Sequence, residues 1–288
     1  MKSKIPFLLL YTFLAVTSLA QKKDYVVTIK TSYGDMIAIL YDETPKHKAN
    51  FIELAKAHYY DSLLFHRVIQ GFMIQTGDPD SKKAVAGQRL GTGGPNYTVE
   101  AEFNPKFFHE KGALSAARQG DQLNPTKASS GSQFYIVQGS KIDEAELKVD
   151  KEQFNAGLMK LIQNPSNKDL KDSLNQLYLS NNEEAFKKKI ISLVPRIERE
   201  TGVKVLKDNL QPDRINAYTT VGGSPHLDGG YTVFGKVIKG LDVIDKIAAQ
   251  PKDQFDRPTE DIRIFVTVEE LSKKKIEKLY GYKYPEKK

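Results

Sequence analysis

Cysteine is absent from the 288-residue sequence. Its absence excludes disulfide bonds, thiolate catalysis and cysteine-ligated metal sites. The five histidines are scattered along the chain without the spacing of metal ligands, and we therefore expect no metal. Hydrophobic residues make up 40% of the chain and charged residues 27%, which is ordinary for a folded protein. A chain of this length can bury a large core, so it can fold without disulfides even if it is exported.

Long apolar runs are also missing beyond the N-terminus. At the start, Lys2 and Lys4 precede an apolar run over residues 5–16, and Ser18-Leu19-Ala20 follows it. Together these features predict a secretory signal peptide over residues 1–20, cleaved near Ala20. An uncleaved N-terminal anchor is the alternative, although the run is short for a membrane span. We therefore expect an exported, periplasmic protein with no stable membrane span after signal cleavage.

Clusters of arginine and aromatic residues, which are typical of nucleic-acid-binding modules, are not found either. The formal net charge is +7, but most lysines stand among acidic residues, as on an ordinary solvated surface. We therefore expect no nucleic acid among the partners. The tail at residues 272–288 is an exception, because its many lysines and tyrosines could contact an acidic surface.

Short β-strands separated by turn residues are predicted over most of the chain. Residues 25–41 alternate around Tyr33-Gly34-Asp35, which predicts a β-hairpin with a Gly-containing turn. Thr44-Pro45 predicts the start of a helix, with threonine as the cap and proline at the first position. Regularly spaced short strands favour a β-barrel or sandwich. Further strands are predicted at residues 64–68, 72–75, 97–99, 112–116, 133–138, 232–237 and 262–268, and a helix at 240–249.

A helical block interrupts the β-rich sequence at residues 141–221. Apolar residues recur there at helical spacing, in stretches that Asn164-Pro165, Pro195 and Gly202 are expected to end. We predict three or four amphipathic helices, inserted between β-rich parts at residues 21–140 and 222–271. Two interpretations of the block remain open: a structural decoration on the β-rich domain, or an arm that binds partners.

One segment, residues 65–78, combines side chains suited to a binding site (FHRVIQGFMIQTGD). Strand alternation predicts that Arg67 shares a face with Phe65, and that Met73 shares a face with Gln75. Large apolar side chains form a slot for a small ring, and an adjacent arginine donates several hydrogen bonds in a fixed geometry. Such a surface is poorly equipped for hydrolysis and well suited to binding a prolyl peptide.

Five motifs, each weak alone, follow one another along the chain: residues 65–78, Gly91-Thr92-Gly93-Gly94, Leu114-Ser115-Ala116-Ala117, 130–136 (SGSQFYI) and 227–237 (LDGGYTVFGKV). Together and in this order they resemble the motifs of the cyclophilin family. The sequence resembles that family from about residue 25 to 139 and again from about 222 to 271. The resemblance implies a mainly β fold: a closed eight-stranded antiparallel β-barrel with two capping helices, here with an inserted α-helical subdomain.

The resemblance also implies roles for polar and small residues of the groove. By motif position, Arg67 matches the family's catalytic arginine. Gln75 matches the amide that orients this arginine and the bound peptide, and it is counted with the catalytic residues. Ala117 and Gln133 match residues that contact the substrate backbone.

The remaining implied site residues form the pocket for the proline ring. Phe72, Met73 and Leu227 match its walls. Tyr135 occupies a pocket position where many family members have phenylalanine, and its hydroxyl needs a hydrogen-bond partner or a route to water. His226 stands at the rim where some members carry tryptophan, which places tight cyclosporin binding in doubt.

The resemblance therefore implies a peptidyl-prolyl cis-trans isomerase that rotates X-Pro bonds and assists the folding of exported proteins. Its partners would be proline-containing segments of unfolded or folding proteins. We expect no cofactor and a monomeric protein. The alternative function is a non-catalytic chaperone that binds proline peptides in the same groove.

Overall fold

The computed structural model describes residues 22–285, so the predicted signal peptide at residues 1–20 lies outside the described residues. Within residues 22–285, no helix is both long and apolar enough to cross a membrane. The strands are β1 (Lys23–Thr31), β2 (Gly34–Leu40), β3 (Leu63–Leu64), β4 (Arg67–Ile69), β5 (Met73–Thr76), β6 (Thr98–Val99), β7 (Ala113–Ala116), β8 (Ser129–Ser130), β9 (Phe134–Val137), β10 (Val233–Lys239) and β11 (Arg263–Ser272). The α-helices are α1 (Pro45–Lys56), α2 (Glu144–Leu147), α3 (Lys151–Gln163), α4 (Lys168–Leu179), α5 (Glu183–Thr201), α6 (Pro212–Thr220), α7 (Leu241–Ala248) and α8 (Lys273–Tyr280).

A curled antiparallel sheet of nine strands dominates the described part of the chain, in the order β3-β11-β1-β2-β10-β7-β9-β5-β4. Strands β6 and β8 form a separate pair. The predicted N-terminal hairpin is present, since β1 pairs with β2 from Val26↔Ile39 to Thr31↔Gly34. Gly34 has a φ of 125°, which glycine adopts without strain at the end of this turn.

The two edge strands of this sheet, β3 and β4, are almost consecutive in the chain. The chain pairs with the β11 side before residue 66 and with β5 from residue 66 onward. Phe65 N–H donates to the Ile262 carbonyl at 3.0 Å, whereas His66 N–H donates to the Gln75 carbonyl at 3.1 Å. The predicted strand at residues 64–68 is therefore split in two. The expected mainly β, antiparallel fold is confirmed, but the sheet has nine strands instead of eight in a closed barrel.

Helices α1 and α7 pack on the sheet and complete its main core. Phe51 of α1 contacts Tyr60 and Phe134, with ring centroids 5.0 and 5.3 Å apart. Burial of each such side chain contributes roughly 1.5–3 kcal/mol. Helix α1 begins at Pro45 as predicted, but the Thr44 hydroxyl donates to the Tyr41 carbonyl at 3.3 Å and does not cap the helix.

The helical block contains five described helices, α2 to α6, one more than the upper expectation because α2 has only four residues. Apolar side chains of α3, α4 and α5 form a buried cluster separate from the core of the sheet. Gly157 on α3 allows close approach, because a Cβ there would overlap with Ile197 of α5. The block therefore has a small core of its own.

The prediction that Pro195 ends a helix is wrong. Helix α5 continues through Pro195 and ends only before Gly202, which has a φ of 69°. Proline in a helix interior costs about 3 kcal/mol. Leu193 and Ile197 are buried on either side of it, and their packing stabilises a continuous helix.

The helical block joins the sheet domain at a neck formed by Ser140 and Gly223. Ser140 and Gly223 pair as an antiparallel bridge, and Gly223 N–H donates to the Ser140 carbonyl at 3.0 Å. Beside this neck, Tyr218 of α6 is fully buried, with its ring centroid 5.4 Å from that of Phe108. Backbone pairing and a shared apolar cluster thus hold the block against the sheet domain.

The predicted basic tail folds back on its own chain where the structure describes it. Helix α8 buries Ile276 against β1 and β2. Beyond it, the Tyr284 hydroxyl donates to the Asp24 carboxylate at 3.1 Å. The Lys273 ammonium lies 3.4 Å from the Asp42 carboxylate. The acidic groups that this part of the tail contacts are therefore the protein's own.

Candidate active site

Three polar side chains form a continuous hydrogen-bonded row across strands β4, β5 and the start of β9. Arg67 and Gln75 are register partners, and Arg67 Nη1 donates to Gln75 Oε1 at 3.3 Å. Gln75 Nε2 in turn donates to Gln133 Oε1 at 3.1 Å. The buried Gln133 amide donates to the carbonyls of Gly91 and Gly93 at 3.0 and 2.7 Å. This row fixes the orientation of both amides and, through them, of the guanidinium group.

The Arg67 side chain keeps most of its donors for other partners. Among residues 22–285, its one side-chain hydrogen bond is the contact with Gln75. A guanidinium group has five N–H donors and stays protonated at any physiological pH. Arg67 is partly exposed, so a ligand in the groove can reach the remaining donors.

An apolar slot lies beside this row. Met73, Tyr135 and Leu227 are buried in one cluster, at 1%, 4% and 8% exposure, and the partly exposed Phe72 and Ala117 pack against it. The exposed His226 covers Phe72, with ring centroids 5.3 Å apart. Partial burial, with a contribution from the nearby Lys151, lowers the pKa of His226, so that its ring is neutral at neutral pH.

All nine site residues predicted from sequence are therefore in one region. Ala117 is fixed by its backbone, since its N–H donates to the Gln133 carbonyl at 3.0 Å and its carbonyl accepts from Ser130 N–H at 2.8 Å. The prediction that Phe65 shares the face of Arg67 is wrong. Phe65 is buried in the main core with Val68, because the change of pairing at residues 65–66 breaks the alternation.

The Tyr135 hydroxyl has a buried partner that the sequence did not reveal. It lies 3.0 Å from Nε2 of His109, and Nδ1 of His109 lies 2.9 Å from Oδ1 of Asp228. Burial raises the pKa of Tyr135 well above its usual value, so the hydroxyl keeps its proton. Asp228 belongs to the motif at residues 227–237, but no neighbouring residues in the sequence indicated a role for His109. Only the fold brings His109 next to Tyr135 and Asp228.

Comparison with protein families decides the assignment. The model of the cyclophilin type peptidyl-prolyl cis-trans isomerase/CLD family matches residues 26–155 and 210–268. The chain belongs to this family. The stretch between the matched parts, residues 156–209, contains helices α4 and α5 and most of α3, so this cyclophilin carries them beyond the family's common domain.

Two curated relatives give the same family. A Streptococcus pyogenes protein named "Putative bifunctional phosphatase/peptidyl-prolyl cis-trans isomerase" is 33% identical over 250 residues, which are 84% of this chain and 38% of that protein. A Staphylococcus saprophyticus protein named "Putative peptidyl-prolyl cis-trans isomerase" is 30% identical over 239 residues, 81% of this chain and 86% of that protein. The chain thus spans well under half of the first relative and most of the second.

A solved structure is also similar to this cyclophilin. The crystal structure of a Cryptosporidium parvum cyclophilin type peptidyl-prolyl cis-trans isomerase is 20% identical, with a TM-score of 0.48. The alignment covers 86% of this chain and 98% of that one.

The rim of the slot carries a second arginine, Arg118. Arg118 lies over the Tyr231 ring, with its guanidinium carbon 4.4 Å from the ring centroid. Its Nε donates to the Gly230 carbonyl at 2.7 Å. Arg118 therefore stabilises the rim through a cation–π contact and a backbone hydrogen bond.

Within residues 22–285, no group of three or more acidic, histidine or cysteine residues is placed to hold a metal ion.

Proposed function

We propose that this cyclophilin catalyses rotation about X-Pro peptide bonds, with Arg67 as the catalytic donor and Gln75 as the residue that orients it. The observation that carries the proposal is the row Arg67–Gln75–Gln133 beside a buried apolar slot. A fixed cationic donor next to a group of apolar side chains that can contact a proline ring is the equipment that this reaction needs.

The reaction makes no bond to the protein. The X-Pro amide is planar because resonance gives its C–N bond partial double-bond character, and rotation must cross about 18–20 kcal/mol. A site accelerates rotation only if it binds the twisted amide more tightly than either planar form. In the twisted state the prolyl nitrogen is pyramidal and more basic. A hydrogen bond from a guanidinium N–H of Arg67 to this nitrogen is then stronger than in either planar form, because the nitrogen has become a better acceptor.

The slot holds the proline side of the X-Pro bond still during rotation. Phe72, Met73, Tyr135 and Leu227 hold the proline ring, so that the N-terminal side of the peptide turns. Ala117 and Gln133 line the part of the groove that would receive the preceding residues. His226 extends the slot at its rim by contact with Phe72.

The direct test compares the chain from residue 21 onward with its Arg67→Ala variant, by NMR exchange spectroscopy on short X-Pro peptides. One preorganised donor contributes roughly 100- to 1,000-fold to kcat in oxyanion sites. We expect a loss of that size, with peptide binding partly retained because the slot is intact. Arg199→Ala, on the exposed surface of α5, is the matched control and should keep full activity. Unchanged turnover in a folded Arg67→Ala protein would reject the assignment.

A non-catalytic chaperone is the second candidate, because Tyr135 stands where many family members have phenylalanine and His226 stands where some carry tryptophan. The same experiment separates the two functions. Peptide binding without accelerated exchange in the unmutated chain would support the chaperone.

We also infer that residues 63–69 act as one closing strand. Counted as one, β3 and β4 reduce the nine strands to eight, and this segment pairs with β11 on one side and β5 on the other. Under this interpretation the curled sheet is the closed eight-stranded barrel implied by the family resemblance.

We also propose that the protein is exported and that it acts on other exported proteins. The N-terminal pattern supports delivery to the periplasm, where the clients would be proline-containing segments of unfolded proteins. A monomer needs no further subunit for this function, because every predicted groove residue comes from one chain. Detection of the chain from residue 21 onward in a periplasmic fraction would test its localisation.

A further inference from the structure

A hydrogen-bond path runs from the helical block to the floor of the proline slot. Tyr218 of α6 donates its hydroxyl to Oδ2 of Asp228 at 2.7 Å. The other oxygen of Asp228 contacts Nδ1 of His109 at 2.9 Å, and Nε2 of His109 contacts the Tyr135 hydroxyl at 3.0 Å. We propose that Tyr218 and Arg214 of the helical block are positioning residues for the proline slot, acting through Asp228 and His109.

Burial makes each contact of this path specific. The His109 side chain is fully buried, and that of Asp228 is 13% exposed. Because a carboxylate only accepts, Nδ1 of His109 carries the proton towards Asp228. When His109 is neutral, its Nε2 is therefore the acceptor for the Tyr135 hydroxyl. The path thus orients the Tyr135 hydroxyl, and with it the ring that forms the slot floor.

The Asp228 carboxylate accepts hydrogen bonds from the sheet domain and from the helical block. From the sheet domain it accepts the backbone N–H and the ring N–H of His109, both at 2.9 Å. From α6 it accepts the Tyr218 hydroxyl and, at 3.3 Å, Nη1 of Arg214. Arg214 is anchored in turn, since its Nη2 donates to the Pro105 carbonyl at 2.7 Å. Loss of a block-side donor leaves a largely buried carboxylate short of partners, and its loop must shift to regain them.

The loop that would shift contains a wall of the slot. Leu227 directly precedes Asp228, and Gly230 N–H closes a turn on the Leu227 carbonyl at 3.0 Å. The same loop is tied to His109 by Ser224 N–H, which donates to the His109 carbonyl at 2.8 Å. Two surfaces of the slot, Leu227 and Tyr135, therefore depend on the position of one carboxylate.

This inference rests on the proposed isomerase function and adds a distinct expectation to it. Arg67 is not part of the path, so the path affects how tightly the proline ring is held and leaves the twisted-amide contact unchanged. Block-side substitutions should raise KM and leave kcat within about twofold, whereas Arg67→Ala lowers kcat. Reduced stability alone would lower the folded fraction, and with it the apparent kcat, but it would not raise KM.

Tyr218→Phe is the first variant, because it removes one hydroxyl and keeps the ring that packs on Phe108. Residues along a coupling path change affinity by roughly two- to thirtyfold, and we expect a rise in KM for an X-Pro peptide in this range. Tyr178→Phe on α4 is the matched control: the same change in the same block, on a side chain that is 71% exposed, should leave KM unchanged. Arg214→Met removes the other block-side donor and should raise KM in the same direction.

A double-mutant cycle gives the deciding measurement. Tyr135→Phe breaks the slot end of the path, and Tyr218→Phe breaks its block end. If the path is continuous, the double variant loses less affinity than the product of the two single effects. Independent effects, or a KM for Tyr218→Phe equal to that of the unmutated protein, would overturn the inference. Urea unfolding of each variant confirms that the protein is folded under assay conditions.

The isomerase activity and the hydrogen-bond path give different results when each is absent. If the unmutated chain accelerates exchange and Tyr218→Phe is silent, the isomerase assignment stands and the path is rejected. If the unmutated chain binds peptide without exchange, the dissociation constant from NMR titration replaces KM. A weaker dissociation constant in Tyr218→Phe then still supports the path, and an unchanged one rejects it.

Discussion

His66 is the immediate neighbour of Arg67 in the chain, yet its ring lies inside the protein. It is 3% exposed, and neither ring nitrogen has a hydrogen-bond partner among residues 22–285. Burial lowers the pKa of His66 to about 4, the nearby Arg67 acts in the same direction, and Asp78 opposes both. The residue is therefore neutral in the folded protein at neutral pH.

This neutral histidine should make the protein sensitive to acid. The unfolded chain binds a proton near pH 6.5, whereas the folded chain binds it only near pH 4. Stability from this group is present above pH 6.5 and is lost as the pH falls towards 4, by up to about 3 kcal/mol. We expect His66→Gln to lose less unfolding free energy than the unmutated protein between pH 7 and 4.5, as measured by urea unfolding.

The control for this measurement is His58→Gln, whose side chain is 72% exposed. It should follow the unmutated protein across the whole pH range. Equal acid losses in His66→Gln and the unmutated protein would show that His66 is not held neutral by the fold.

Among the elements, the neck brings backbone into close contact with backbone. Gly223 pairs with both Ser140 and Glu110, and it lies under the Tyr218 ring. A Cβ at Gly223 would stand 2.6 Å from Tyr218 Cε1 and closer still to the His109 carbonyl oxygen. Neither neighbour can withdraw easily, because the carbonyl accepts from Ser224 N–H and the tyrosine is fully buried.

We therefore expect Gly223→Ala to lower the free energy of unfolding by about 3 kcal/mol, the upper end for overpacked sites. Chemical denaturation measures the change. The matched control is Gly120→Ala, where an added Cβ meets nothing within 4 Å and the backbone has no positive φ. That variant should be as stable as the unmutated protein or slightly more so. Equal stability of the two variants would contradict the close packing of the neck.

At the scale of the whole molecule, the helical block divides into a base and a lobe. Val149 and Leu206 form an antiparallel bridge, and Asp150 N–H donates to the Val205 carbonyl at 2.8 Å. Residues 150–205 beyond this bridge hold α3, α4 and α5, whereas α6 with Tyr218 stays in the base. The lobe is thus separable in principle from the path to the slot.

Replacing residues 150–205 by Asn-Gly, a two-residue turn suited to an antiparallel pair, tests this division. Sites without shared partners couple by less than about 0.5 kcal/mol. We therefore expect kcat/KM for short X-Pro peptides to stay within roughly twofold of the full chain. A selective loss in assisted refolding of a protein substrate would identify the lobe as a partner-binding arm. Loss of short-peptide activity in a folded variant would instead show that the lobe supports the groove.

The sequence by itself determined the family and the hairpin, and it predicted the helical block and nine site residues that the fold brings into one region. These features depend on local patterns: alternation, turn residues, helical spacing and motifs in a fixed order. Gly202 was predicted correctly as a helix end because its conformational freedom is a property of the residue itself.

Only the tertiary structure decided the rest, because it depends on which distant segments meet. Pro195 continues a helix since its neighbours are buried against α3 and α4, which no local rule reports. Phe65 does not share the face of Arg67, because adjacent residues pair with different segments: Phe65 with Ile262 and His66 with Gln75 of β5. His109 acquires its partners from Tyr135 and Asp228, 26 and 119 positions away, and only folding brings these groups within hydrogen-bond distance.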